Sequence, residues 1–177
     1  MPDKEVEIKI LEIDVDAVTQ KLDKLGAELI FDDYMNAIFF DDDHKTMEKE
    51  NKMLRLRKEA ENCELVFKKV IYKEGIRVNE ESTVEVGDFD KMREILICAG
   101  FKENYAHSKH RKEYLFNGLK IAIDTYEGNL SHIPTFLEIE GTDEKQVIVG
   151  AAFLGFRPRT FKNWTTRDLE KFYRTKI

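Results

Sequence analysis

Two glutamates and a lysine alternate near the start of the chain. Glu5, Glu7 and Lys9 interleave with Val6, Ile8 and Ile10. Residues i and i+2 of a strand point to one side, so two carboxylates converge there, which suits the oxygen ligation of hard divalent cations. Bases recur with the same period. Arg55 and Arg57 share a face opposite Leu54 and Leu56, and Lys109 and Arg111 share another. Rows of guanidinium forks and ammonium groups match phosphate oxygens. Lys68 stands with Glu64 and Val66, opposite Leu65 and Phe67. Further acids follow: Glu81 and Glu85 with Thr83 between them, Asp124 beside Ala122, and Glu138 with Glu140 opposite Leu137 and Ile139.

A single alternating strand with a solvated face would look the same. The recurrence over most strands, with acids and bases mixed on the charged faces, carries more. The elements must position them. The order reads strand (4–13), helix (14–25), strands (27–31, 35–40, 53–58, 64–71, 77–86), helix (88–99), a hairpin (109–116 and 119–126) across Asn117-Gly118, strand (135–140) and two helices (143–154, 165–173). Each half runs strand, helix with a terminal glycine, then strands, a pseudo-duplicated architecture. Amphipathic helices cover apolar strand faces, so the charged faces turn inward. About eight strands close into a barrel wide enough for a small ligand. The expected fold is α+β: a single-domain closed antiparallel β-barrel over residues 1–177, a tunnel of about eight strands with helices outside. Unpartnered ions inside it would be prohibitive. Acids, metal, polyphosphate and bases form the consistent filling.

The chain has 177 residues, 36% charged, with 29 basic and 35 acidic side chains and a net charge of −6. That balance argues against nucleic acid. No apolar run approaches the roughly 18 residues of a membrane span, and the N-terminus lacks the stretch of a signal peptide. Cys63 and Cys98 give no metal spacing, so a reducing cytoplasm is the expected home. His44, His107, His110 and His132 show no ligand spacing and read as structural or surface, and residues 48–52 read as a solvated loop, with contact to a ligand's base or a lid as the lesser alternative. A monomer or a homodimer fits equally.

Glu5-Val6-Glu7-Ile8-Lys9 resembles the Glu-x-Glu-x-Lys signature of the CYTH superfamily, the triphosphate tunnel metalloenzymes. The order of later motifs is similar too: Leu54-Arg55-Leu56-Arg57, Val66-Phe67-Lys68, 81–85, Lys109-His110-Arg111, Ile123-Asp124 and 136–140. The resemblance implies that Glu5, Glu7, Asp124, Glu138 and Glu140 hold one or two Mg²⁺ or Mn²⁺ ions. It implies that Lys9, Arg55, Arg57, Lys68, Lys109 and Arg111 grip a triphosphate, with Lys162 near the C-terminus as a last clamp. Catalytic roles would fall to Glu5, Glu7, Lys9 and Glu85, with Glu81 lining the tunnel. Thr83 departs from relatives that carry an acid there. The family includes class IV adenylyl cyclases, which turn ATP into cyclic AMP and pyrophosphate, and triphosphatases acting on tripolyphosphate, thiamine triphosphate or nucleoside triphosphates. The cyclase is the first expectation and the triphosphatase the alternative. A polyphosphate- or nucleotide-binding module without turnover is a third.

Overall fold

Eight strands pair edge to edge around a complete circuit. The computed structural model describes residues 3–74 and 76–175. Its strands are β1 (Asp3–Ile10), β2 (Glu28–Asp41), β3 (Lys52–Glu59), β4 (Asn62–Glu74), β5 (Ile76–Glu85), β6 (Lys102–Phe116), β7 (Leu119–Tyr126) and β8 (Phe136–Gly141). They are ordered β5-β4-β3-β2-β6-β7-β8-β1, and β1 pairs with β5 to close the barrel. All pairings are antiparallel. A two-residue strand, β9 (Phe161–Lys162), adds to β1 where β5 has ended.

Exchanging β1–β4 for β5–β8 leaves the circuit unchanged, so the two halves have one topology. The local code repeats as well. Helix α1 (Val15–Leu25) follows β1, is capped by the Asp14 carboxylate and ends at Gly26, φ 71°. The helix after β5, α3 (Phe89–Cys98), is capped by Asp88 and stops before Gly100, φ 96°. Both glycines take the left-handed conformation that a side chain disfavours.

The apolar faces lie outside the barrel, against helices. Val6, Ile8, Ile121, Leu137 and Ile139 pack under α1 and α4 (Glu144–Phe153). Phe40, Leu54 and Leu56 pack under α3 through Leu96. Helix α5 (Thr166–Arg174) seats Leu169 and Tyr173 against Tyr126 and Phe136. Among the described residues no helix is long and apolar enough to cross a membrane.

Three differences from the sequence reading matter. The expected strands 27–31 and 35–40 are one strand, β2, with a register shift between Leu29 and Phe31 in place of a break. The strand expected at 109–116 starts at Lys102, so β2 and β6 form the longest pairing of the barrel. The loop after β2 contains a short helix, α2 (Thr46–Lys49), whose Met47 and Glu48 amides are held by the buried Asp41 carboxylate.

Candidate active site

Alternation turns the charged residues into one cavity of about 490 Å³ inside the barrel. Its wall includes Glu5, Glu7, Lys9, Arg55, Arg57, Lys68, Glu81, Lys109, Arg111, Glu138 and Glu140. Asp124 lies behind this surface, with no exposure at all.

Most of these charges are tied to each other. Lys68 Nζ donates to Glu5 at 2.5 Å and pairs with Glu81 at 2.5 Å. Glu7 meets Lys9 at 3.2 Å and Arg77 at 3.1 Å, and Lys9 reaches Glu138 at 2.6 Å. Arg111 donates to both oxygens of Asp124 at 2.7 Å and to Glu138 at 2.8 Å. Lys109 donates to Asp124 at 2.6 Å. At Arg111 and Glu138 burial opposes the charge, yet the partners win: Asp124 and Glu138 hold Arg111 charged, and Lys9 and Arg111 hold Glu138 well below the usual carboxylate range. For Lys109 burial and the neighbouring Arg111 win, and its ammonium falls to about 8.

Arg55 differs. Its only ion pair among the described residues is Glu64 at 3.9 Å, beyond hydrogen-bond range, and its buried Nε has no partner. Burial and the adjacent Arg57 lower its guanidinium to about 10. Arg57 differs in having close counter-ions, Glu64 at 2.5 Å and Glu59 at 2.8 Å, although its Nε makes no well-aligned hydrogen bond either. A partly buried cation short of partners beside a second cation is an anion-binding arrangement.

The carboxylates divide in the same way. Asp124 has both oxygens spent on Lys109 and Arg111, so it is poorly suited to a metal. Glu140 has no ion pair among the described residues, and burial with Glu5 and Glu138 nearby pushes its carboxyl up to about 7. A partly buried acid raised by desolvation and neighbouring acids is the donor chemistry that a hard divalent cation relieves. Glu140 lies opposite Glu7 across the β8–β1 pairing. Among the described residues Glu7 and Glu140 keep unbonded oxygens there, and Glu5 and Glu138, which line the cavity as Asp124 does not, would exchange Lys68, Lys9 or Arg111 for such an ion. The wall therefore fits it, although no ready-made cluster of three donors converges among the described residues.

Two expected residues stand elsewhere. Glu85 is exposed at the end of β5 and does not line the cavity. Lys162 pairs with Lys9 through β9, but its ammonium rests over the Trp164 ring at 5.1 Å, outside the lining. The structure also adds residues. Arg77 and Asn79 are buried beside Glu7 and Glu5, with the Asn79 amide donating to Glu5 at 2.7 Å. Alternation from Glu81 would have found both. His107, expected to be structural or surface, lines the cavity, as do Glu48 and Lys52 of the expected loop.

A closed barrel with a charged lumen and Glu-x-Glu-x-Lys on its first strand defines a class of proteins. The chain belongs to the CYTH domain family, whose model matches residues 3–153. A Methanocaldococcus jannaschii protein provisionally named an adenylate cyclase is 32% identical over 136 residues, 77% of this chain and 75% of that one. The fold is similar to that of a Vibrio parahaemolyticus protein, also provisionally named an adenylate cyclase (TM-score 0.81, 15% identity, 97% and 99% of the two chains). It is also similar to a Hippeastrum protein provisionally named an adenylyl cyclase and described as having a dominant triphosphatase activity (TM-score 0.68, 17% identity, 97% and 96%).

Proposed function

We propose that this protein is a metal-dependent enzyme acting on a triphosphate in the barrel lumen, in the first place a cyclase that converts ATP to cyclic AMP and pyrophosphate. The observation that carries the reading is Arg55, a partly buried cation without a close counter-ion on the wall of a cavity large enough for such a ligand. The relative from Methanocaldococcus jannaschii favours the cyclase over other triphosphate chemistry.

Phosphoryl chemistry is mostly positioning and charge neutralisation. Arg55 and Arg57 bind the phosphate oxygens from β3, and Lys9, Lys68, Lys109 and Arg111 bind them from the other walls. Asp124 orients Arg111 and Lys109 from behind. Glu5, Glu7, Glu138 and Glu140 are the side chains that would hold one or two Mg²⁺ or Mn²⁺ ions, which supply charge neutralisation on phosphate oxygens when bound. In the cyclase the ribose 3′-oxygen bonds to the α-phosphorus, the bond to the bridging oxygen breaks, pyrophosphate leaves and the hydroxyl proton passes to solvent. Hydrolysis of the terminal phosphate is the second reading, favoured by the activity described for the Hippeastrum protein of the same fold. The free thiols of Cys63 and Cys98 suit a cytoplasmic location.

The test is incubation with Mg²⁺ or Mn²⁺ and ATP, and separately with tripolyphosphate and thiamine triphosphate. Cyclic AMP with pyrophosphate is the expected product pair. Orthophosphate instead selects the second reading, and binding without turnover of any of the three overturns both.

A further inference from the structure

Three rings cluster around His107 on the lumen wall beside the phosphate-binding cations. Phe39 of β2 lies 5.8 Å from Tyr105 and 5.4 Å from His107, both of β6. His107 lies 5.1 Å from Tyr126 of β7, edge-on. All four line the cavity. The pairings place this shelf next to the cations: Phe39 is opposite Arg55 across β2–β3, and Tyr126 is opposite Lys109 across β6–β7.

The shelf is held from behind, and its polar tips are almost all used. Tyr105 donates its hydroxyl to Glu170 at 3.2 Å, and Tyr126 shares a hydrogen bond with Thr166 at 2.7 Å. Arg167 sits over the Tyr105 ring at 5.5 Å and pairs with Glu48 at 3.0 Å, joining α5 to α2. The exception is His107, whose buried Nδ1 has no partner. An orphaned buried polar atom is costly unless something completes it. The ring is also in the wrong state for phosphate. Burial, then Lys109 and Arg55, push its pKa down to about 3, so the imidazole is neutral at physiological pH. A neutral ring nitrogen adds nothing to a row of cations, but it can hydrogen-bond an uncharged polar edge. The rings around it offer edge and face contacts to a flat group.

Resting on the reading that the lumen binds a triphosphate, we propose that Phe39, Tyr105, His107 and Tyr126 form the subsite for a nucleoside carried by that triphosphate. His107 Nδ1 completes its hydrogen bonding on the base. The protein therefore selects nucleoside triphosphates over inorganic tripolyphosphate.

The test is calorimetric binding of ATP and of tripolyphosphate to the full chain, with divalent ions chelated so that metal-dependent turnover is stopped. The wild type is expected to bind ATP at least about tenfold more tightly. His107→Leu is expected to lower that preference about tenfold, and His107→Asn, which keeps a neutral polar group, to restore most of it. Phe39→Ala is a second cut into the shelf and is expected to lower the preference too. Equal affinity of the wild type for both ligands overturns the proposal while leaving the triphosphate reading intact. So does a preference unchanged in both His107→Leu and Phe39→Ala, or a loss equal for the two ligands. A wild type that binds neither ligand under chelation, and neither binds nor turns over either one once Mg²⁺ is restored, removes the triphosphate reading and this proposal with it.

Discussion

The two halves of the barrel share a topology and divide the charge unequally. β3 and β7 occupy equivalent places in the circuit, yet β3 presents Arg55 and Arg57 to the inside and β7 presents Asp124. β4 and β8 are equivalent too, and carry Lys68 against Glu138 and Glu140. A cationic wall therefore faces an acidic one, and the lumen can bind a polyanion and a cation together. The division also separates two kinds of arginine. Arg111, on the second half, is fixed by Asp124, Glu138 and Glu113. Arg55, on the first, has one distant partner. The fully paired arginine is tied into the barrel wall through three carboxylates, and the under-paired one keeps more of its charge free for an anion.

The sharpest way to break that distinction is to remove each arginine in turn. Arg111→Met leaves Asp124 and Glu138 buried with fewer counter-charges, and stability should fall by about 3–5 kcal/mol. Arg55→Met strands no closely paired acid, so its cost should stay below about 1 kcal/mol. Urea unfolding of both variants checks this, and equal losses would erase the difference between the walls. Binding should reverse the ranking of effects. Arg55→Gln should weaken tripolyphosphate binding by about 10- to 100-fold, the worth of a charge-assisted hydrogen bond, with the fold intact. Unchanged affinity in titration calorimetry would take Arg55 out of the phosphate row.

The acidic wall makes its own prediction through pH. Glu140 has a folded pKa of about 7, raised above the ordinary value of 4.5 by burial and its acidic neighbours. The native state thus holds a proton that the unfolded chain releases, and stability should decrease as pH rises from about 4.5 to 7. The loss is on the order of 1–2 kcal/mol, less than the full shift because neighbouring side chains and water relax. Glu140→Gln should flatten that slope and melt above the wild type at pH 8 without metal. Added Mg²⁺ should raise the wild-type melting temperature at pH 8 more than that of Glu140→Gln. A pH slope identical in the two proteins would mean that another group carries it.

Strand alternation made the barrel and most of its lining legible in the sequence. Parity assigns a residue to a face, and it did so correctly for Glu5, Glu7, Lys9, Arg55, Lys68, Lys109 and Glu138. Parity does not assign depth along a tilted strand. Arg77 and Glu85 lie on the same face of β5, eight residues apart, and only the first reaches the buried network. The aromatic shelf was hidden for another reason. Phe39 and Tyr105 are partners only because β2 and β6 pair along nearly their whole lengths, a contact between residues 66 positions apart. The role of α5 depends on where the last helix docks, which no local pattern encodes. Lys162 was within the right region but is drawn onto Trp164.

Glu81 and Glu85 give the finest test of depth against parity. Both face inward by alternation, but Glu81 lines the cavity and pairs with Lys68 at 2.5 Å, while Glu85 is exposed beyond it. Glu81→Gln removes one of the two carboxylates on a buried ammonium and should cost about 1 kcal/mol, since Glu5 still holds Lys68. Glu85→Gln touches no buried partner and should stay within about 0.5 kcal/mol of the wild type in urea. The two variants should separate in ligand binding as well. Glu81→Gln leaves Lys68 with a larger share of its charge for a phosphate and should tighten tripolyphosphate binding slightly, whereas Glu85→Gln should not change it. If Glu85→Gln instead shifts affinity as much as Glu81→Gln does, the rim of β5 belongs to the binding surface, and the lumen extends along that strand from Glu81 to Glu85.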